Sequence, residues 1–583
     1  MAERLTSDGA PRPSGAVIGR RDGPDSEPTL FLSNAEIADR LASLAQLLSA
    51  QKENPYKVKA YQRAAAKLRN MSESLHELVQ DEADLTQYAG IGDAIASAIR
   101  EIVQTGTLRK LETLRADATP AVASINAHPR LDPKRVQRIY KKLGISNVEE
   151  LREKLDSGEV ESALGLRLAQ HVRQGLTETH AMLLYRADDL RVAVEEFLLG
   201  PCRAKRAAVV GEVRRRTEVV EELVFVIETD DFPAVVARLQ RYGGRTPLVS
   251  SGKDNAVFAL SSGVLLQIQL AGKDDWGLQM VACTGSKAHL KKLTAVTGPL
   301  SELKSSFVSE QAFYKRFDLQ YIEPELREGY DEVERAVKNT LPTLVTAKDV
   351  RGELHAHSTS SDGSDSLEDM ADAAHERGYE YIGISDHSQS LKIARGVSID
   401  DLWTQIKYIE KLNGRLRGFR ILKSSEVDIL ADGSLDYPDD LLRELDYTVC
   451  SIHSRFGLDR QQTERLLHAM DNRYVNILGH ATGRLLLKRP GYEIDIDRLI
   501  EQARKNGCYF EINSSPDRLD LSAENARKAK AAGVLIAITT DAHGTGELPL
   551  IRCGIDQARR AGLEKTSVLN CLPWEKLQPL FRR

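Results

Sequence analysis

Nine side chains able to bind a metal gather at the ends of short apolar segments between residues 355 and 543. His355 and His357 end GELHAHS, Asp362 follows in the loop SSDGS, and His387 ends YEYIGISDHS. Glu426 lies in FRILKSSEVD, His453 in YTVCSIHS and His480 in VNILGHAT, while Asp541 and His543 end VLIAITTDAH. A single strand-end histidine is ordinary packing, but six histidines and three carboxylates in register are not. Imidazole and carboxylate without thiolate suit Zn²⁺, Mn²⁺ or Fe²⁺ rather than Ca²⁺. Nine ligands exceed the needs of one tetrahedral ion, so two or three ions have to share them, and the two oxygens of Glu426 make it a bridge. Clustered ions acidify water and clamp a phosphoryl group, which is the chemistry of phosphoester hydrolysis. No serine or cysteine nucleophile is then required.

These residues need elements that bring them to one place. Together with CYFEINSS, the segments make seven short strands alternating with amphipathic helices, which predicts a parallel α/β architecture. Parallel barrels collect their chemistry at the C-terminal ends of their strands, so the nine side chains should converge on one open rim. Asp386 and Asn513 belong to the same rim as supporting groups, and Arg484 in TGRLLLKRP is a candidate partner for a substrate phosphate. His375 and His468 sit in helical text and read as surface residues.

The whole chain of 583 residues has room for three or four domains. Its net charge of −5 excludes a uniformly basic nucleic-acid coat but allows a basic groove on one domain. Six scattered cysteines, at 202, 283, 450, 508, 553 and 571, form no CxxC pair and fit a reduced cytoplasm. No run of 18 apolar residues predicts a membrane span, and the first 30 residues lack the apolar core of a secretory signal. Residues 1–33 read as a flexible tail, and Ser33-Asn34 reads as the cap of the first helix. Helical patterns then run to about residue 198, and strands such as EELVFVIET and GVLLQIQLAG follow.

Within the helical part, LTQYAGIGDAIASAIREIVQTG places Gly90 and Gly92 in a turn that opens a helix. Glycines there let backbone amides approach a DNA phosphate without reading sequence. Upstream, Lys57, Lys59, Arg63 and Lys67 interleave with Tyr56 and Tyr61, a candidate DNA-binding face.

HAHSTSSDG, SDHS, SSEVD, SIHS, LGHATGR and TTDAH resemble the motifs of the polymerase-and-histidinol-phosphatase (PHP) family over residues 350–575. The resemblance implies a distorted seven-stranded (β/α)7 barrel with a trinuclear metal site. It implies a first metal on His355, His357, Glu426 and Asp541, the catalytic set. It implies a second on Glu426, His453 and His480, and a third on Asp362, His387 and His543. The N-terminal segments resemble the small DNA-binding domain of family X DNA polymerases, with HPRLDPKRVQR (128–138) as a degenerate second hairpin. No Lys lies between 68 and 109, so the Schiff-base lyase chemistry of some family members is not expected.

VVGEVRRRTEVVEELVFVIET resembles the family's nucleotidyltransferase signature, with Gly211, Arg214 and Arg215 in place. The rest departs from it: Glu212 replaces a serine, the Asp-x-Asp positions read Glu222-Leu223-Val224, and the third aspartate reads Gln269. Two Mg²⁺ ions need those carboxylates on one strand face, so polymerase chemistry is expected to be lost. LQYIEPELREGYDEVERA (319–336) matches the family's junction into the PHP domain.

The reading is a multidomain chain. Residues 34–115 form an all-α helix-hairpin-helix domain, 116–198 a helical fingers-like domain, and 199–340 an α+β nucleotidyltransferase-like palm and thumb. A linker at 341–350 leads to the PHP domain at 351–583. The expected function is metal-dependent 3′–5′ exonuclease and 3′-end cleaning on gapped or 3′-ended duplex DNA. The protein is expected to be a cytoplasmic monomer with no membrane contact, using two or three Zn or Mn ions, or Fe. The rivals are an active gap-filling polymerase relying on Asp274-Asp275, a small-molecule phosphatase of the histidinol-phosphate type, and a DNA-binding scaffold.

Overall fold

The computed structural model describes residue 32 and residues 34–581 apart from 52, 69, 70, 72, 74, 89, 117–138, 140, 146, 147, 165–171, 173–180, 244, 245, 261–263, 304, 305 and 457–461. The expected tail thus lies outside the described residues but for Leu32, and so does the second hairpin at 128–138. Leu32 is buried, and it packs against Gly243 of the middle domain.

Five helices make the N-terminal unit: Asn34–Ala50, Pro55–Leu68, Leu75–Gln80, Asp93–Thr105 and Arg109–Ala116. Ile95, Ile99 and Ile102 recur at helical spacing and are buried in a common core with Leu41, Leu44 and Leu48. Each such side chain contributes about 1.5–3 kcal/mol on burial. Asn34 is the first residue of its helix, and Ser33, the other half of the expected cap, lies outside the described residues. The Asn34 Oδ1 accepts the Leu75 N–H at 2.8 Å, so it caps the third helix from 41 residues away.

The middle domain holds β1 (Met182–Leu183), β2 (Arg206–Val210), β3 (Val219–Val220), β4 (Glu222–Glu228), β5 (Leu248–Ser251), β6 (Asn255–Ala259) and β7 (Leu265–Leu270). Five of them form a mixed sheet in the order β2-β4-β7-β6-β5, in which only β4 and β7 run parallel. The helix Leu184–Leu199, assigned by sequence to the preceding helical unit, buries Leu190, Val194 and Phe197 in this sheet's core. It is an amphipathic support of the sheet, which periodicity alone cannot tell from a helix of the preceding bundle.

The C-terminal domain has β8 (Gly352–Ala356), β9 (Tyr381–Ile384), β10 (Arg420–Lys423), β11 (Glu426–Asp428), β12 (Val449–Ser451), β13 (Ile477–Leu478), β14 (Tyr509–Asn513) and β15 (Ile536–Thr539). All pairings are parallel, in the orders β10-β9-β8 and β11-β12-β13-β14-β15. Ala356 bridges to Ala542 and His387 bridges to Glu426, so the two sheets close into one ring. The single strand expected for FRILKSSEVD is broken at Ser424-Ser425. Counted as one bent strand, it gives the seven-stranded barrel the sequence predicts. The C-terminal helix Trp574–Phe581 plugs the bottom with Leu577 and Phe581 against Tyr447 and Ile477. Val345, in the expected linker, is buried in the barrel domain's core, and its N–H donates to Leu563 O at 3.0 Å. Among the described residues no helix is long and apolar enough to cross a membrane.

Candidate metal centre

Glu426, the first residue of β11, is the hub of the barrel's rim. Its Oε1 lies 2.9 Å from His480 Nε2 and 3.2 Å from His453 Nε2. Its Oε2 lies 2.9 Å from His387 Nδ1, 3.4 Å from His355 Nε2 and 3.6 Å from His357 Nε2. Asp541 Oδ1 is 3.0 Å from His357 Nε2 and 3.4 Å from His355 Nε2. Asp362 Oδ1 is 3.5 Å from His387 Nε2 and 3.4 Å from His543 Nε2.

Three groups of ligand atoms able to hold an ion emerge: His355, His357, Glu426 and Asp541; His357, Asp362, His387 and His543; and His387, Glu426 and His453. The first matches the set the resemblance implied. The second adds His357 to the expected third set, and the third brings in His387 beside the expected Glu426 and His453. His480 reaches the cluster through Glu426.

The donors fit cations. His355 Nε2 and Glu426 Oε2 are buried and face each other without a hydrogen bond, a costly arrangement unless a cation lies between them. Burial pushes the Glu426 carboxyl up, yet His453, His387 and His355 together hold it well below the ordinary range. Burial pushes Asp541 up likewise, and His355 and His357 hold it down. Burial lowers His453, but Glu426 and Asp428 raise it to about 10. Ionised carboxylates thus hold protons on imidazoles that a metal would displace.

The rim is less open than expected. His355 and His357 are fully buried, whereas Asp362 and His543 keep about a third of their side-chain surface. Supporting groups hold the ligands. Asn513 Nδ2 donates to Asp541 Oδ2 at 3.0 Å. Asp386 accepts from Ser358 and Ser361 and so fixes the loop that carries Asp362, rather than facing the cluster. Three carboxylates beyond the ligand set also support it. Glu511 Oε1 lies 2.6 Å from His355 Nδ1 and its Oε2 accepts the His480 N–H. Asp428 Oδ1 lies 3.5 Å from His453 Nδ1. Glu353 accepts the His355 and Thr540 amides, joining β8 to β15. A carboxylate behind a metal-binding imidazole fixes its tautomer and raises its basicity.

Arg484, the candidate phosphate partner, is engaged within the protein. It pairs with Glu218 of the middle domain and donates to Leu519 O. His375 and His468 are exposed as expected; His375 stacks on Phe419 and His468 Nδ1 meets Asp432 O.

In the palm, Glu212, Glu222, Val224 and Gln269 line one cavity of about 470 Å³ together with Asn255, Gln267 and Lys287. Val224 pairs with Gln267 and Asn255 with Gln269, while Glu222, the one strand carboxylate lining the cavity, pairs with Leu265. Glu212 accepts the Glu221 N–H at 2.7 Å. Arg214 binds Glu310 with both Nη atoms, and Arg215 binds Thr284 O and Glu328. Asp274 and Asp275 do not line the cavity.

At the N-terminal hairpin, Gly90 has φ +87° and Gly92 caps the helix Asp93–Thr105, with open space around both. Lys59 and Arg63 are exposed on the preceding helix, and Lys57 pairs with Glu53. Tyr56 is exposed, whereas Tyr61 belongs to the core.

Residues 32–108 match the helix-hairpin-helix domain and residues 353–515 match the PHP domain. The chain is 34% identical to DNA polymerase/3′-5′ exonuclease PolX of Bacillus subtilis over 94% of its own length and 99% of that protein. A probable phosphatase of Thermoanaerobacter sp. (strain X514) is 30% identical over 37% of this chain and 89% of its own. A probable phosphatase of Clostridium acetobutylicum is 30% identical over 33% and 78%. The phosphatases thus match about a third of this chain, and the Bacillus subtilis protein matches nearly all of it. The chain belongs to the family X DNA polymerases that carry a C-terminal PHP domain.

Proposed function

We propose that the protein is a metal-dependent 3′–5′ exonuclease that trims and cleans DNA 3′ ends during repair and has lost nucleotide transfer. The convergence of nine ligand side chains around Glu426 carries this reading. His355, His357, Glu426 and Asp541 hold the catalytic ion; His453 and His480, with Glu426, and Asp362, His387 and His543 hold the others. The donor set favours Zn²⁺ or Mn²⁺, with Fe²⁺ acceptable. Bound ions would acidify a water and neutralise the phosphoryl oxygens. The chain's own part is orientation: Glu511 fixes the His355 ring, Asp428 the His453 ring, and Asn513 the Asp541 carboxylate.

The helical unit 34–115 supplies sequence-independent grip through Gly90, Gly92, Lys57, Lys59 and Arg63. Residues 182–340 form a palm and thumb retained as a frame and 351–583 the hydrolase, with Val345 of the 341–350 connector packed into the barrel's core. The protein acts as a cytoplasmic monomer on gapped or 3′-ended duplex DNA. The observation against a small-molecule phosphatase is the match of hairpin and palm to a relative over 94% of the chain.

The deciding assay is Mn²⁺-dependent cleavage of a labelled gapped duplex, with and without dNTPs. Release of 3′ nucleotides without primer growth supports the reading. Hydrolysis of small monoesters but of no oligonucleotide turns it to the phosphatase.

A further inference from the structure

Between His387 and Val397 the chain leaves the rim and returns to where it started. The Val397 N–H donates to the His387 carbonyl at 2.8 Å, and Ser388 bridges to Val397. The root is rigid. Ser390 Oγ donates to Asp428 Oδ2 at 2.9 Å and the Ser390 N–H to Asp436 Oδ2 at 2.7 Å. Asp428 is the carboxylate behind His453, so the loop is tied to the metal cluster at both ends. At Gly396 a Cβ would lie 2.0 Å from Ser388 O, so only glycine lets the loop close.

The tip of this rigid loop is Ile393, which is 93% exposed, the most exposed of the large apolar side chains described. Its neighbours Lys392 and Arg395 are exposed and form no ion pair with any described residue. A bare isoleucine between two unpaired cations, on a loop pinned to a catalytic rim, is not explained by folding: nothing packs on it. Val397 lies four positions after Ile393, at most about 14 Å of chain. Stacked nucleotides rise about 3.4 Å each, so the tip reaches the first few nucleotides of any strand entering the cluster. Apolar side chains of this kind wedge against bases in DNA-bending proteins, and flanking cations take the phosphates.

We propose that residues 388–397 form the seat for the terminal nucleotides of the strand being trimmed. Ile393 packs against the face of a base, and Lys392 and Arg395 hold the phosphates beside it. This rests on the exonuclease reading and adds to it the residues that grip the end. It also makes the enzyme prefer a 3′ terminus that carries a base over an abasic one.

The test uses the full chain with Ile393→Ala, Ile393→Ser and Lys392→Ala/Arg395→Ala. The substrates are a short oligonucleotide with 2-aminopurine as its 3′-terminal base, the same oligonucleotide with abasic terminal residues, and a small aryl phosphodiester. Against the 2-aminopurine strand, the Ile393 variants should raise KM about tenfold, equivalent to about 1.4 kcal/mol. They should also lose the fluorescence change on binding. On the abasic strand the wild-type chain and Ile393→Ala should perform alike. Turnover of the aryl diester should stay unchanged in every variant, which shows the cluster intact. Fluorescence reports on the loop even without cleavage, so failure of the exonuclease reading is separately visible. An unaltered fluorescence change in Ile393→Ala, or an equal KM effect on the abasic strand, overturns the proposal.

Discussion

Glu218 of the palm and Arg484 of the barrel form a two-pronged ion pair, with contacts of 2.8 and 2.9 Å. Arg484 lies four residues after the metal-facing His480, whose φ of 29° puts that turn in the left-handed region. Thr482 in the same turn donates from both N and Oγ1 to the buried Asp520. Arg216 joins the same two domains through Asp188 and Asp556. The palm therefore holds one wall of the candidate metal centre.

Removing that hold should loosen His480. Glu218→Ala is expected to weaken metal binding by about tenfold, the lower end for residues that support a metal ligand. The exchange Glu218→Arg with Arg484→Glu should recover much of the loss. Calorimetric titration of the metal-free chain with Mn²⁺ checks both, and equal affinities in all forms would refute the coupling.

Glu511→Gln should lower metal affinity and hydrolysis by about 10–100-fold. The amide keeps the shape but can present its NH₂ to His355 Nδ1, undoing the tautomer that leaves Nε2 for the ion. Asn513→Ala should act in the same direction through Asp541, more weakly. Metal content after dialysis, read beside the rate, separates lost ions from misplaced ones.

His543→Ala and Asp362→Ala should abolish end trimming and leave the unfolding midpoint nearly unchanged, because both side chains are a third exposed. His355→Ala should abolish trimming and also destabilise the barrel. It leaves the buried Glu511 carboxylate without its imidazole, and an unpaired buried charge is costly. Thermal melts of the three variants distinguish the two classes.

The ligand set is legible because most members follow directly on a short apolar strand, where composition changes abruptly from apolar to polar. The supporting carboxylates are not, yet the signal is present. Glu353, Asp428 and Glu511 each lie two residues from a recognised rim residue, His355, Glu426 and Asn513, and alternate positions of a strand share a face. Glu511 sits inside an apolar strand that also reads as plain core, and Asp428 closes its strand behind the more conspicuous Glu426. The role of Arg484 was beyond sequence altogether, since its partner lies 266 residues away in another domain. Asn34 shows the same limit on a smaller scale: its cap function is real, but the helix it caps is set by packing.

Asp189 gives a pH dependence outside the metal centre. Burial pushes its carboxyl up to about 7, with Asp188 adding to this against Arg552 and Arg186. Its Oδ2 is buried without a hydrogen bond. A folded pKa raised above the ordinary 3.8 means the neutral form is favoured by folding. That stability is present below about pH 4 and is lost as pH rises through about 7. Asp189→Asn should therefore raise the melting temperature by about 2–4 °C at pH 8 and give no gain at pH 4. A gain of equal size at both pH values would refute the assignment.

The protein should not extend a primer. Nucleotide transfer in this fold needs carboxylates on one face of β4 and β7 to hold two ions. Among the positions lining the cavity, that face has Glu222 as its one strand carboxylate, with Val224, Gln267 and Gln269 around it. Removal of one preorganised charged group costs roughly 10²–10³-fold in rate, and two are missing here. The arginines that would meet a triphosphate are engaged with Glu310 and Glu328. The other acids described nearby are engaged: Glu212 accepts the Glu221 N–H and Glu228 lies against Arg206. Asp230 pairs with Lys205, Asp231 caps its helix at Ala234, and Asp274 accepts from Ser306. Primer extension with Mg²⁺ or Mn²⁺ should be measured in His543→Ala, so that degradation does not mask synthesis. Template-directed growth in that variant would show that the palm still transfers nucleotides and would require a carboxylate set other than the one on β4 and β7.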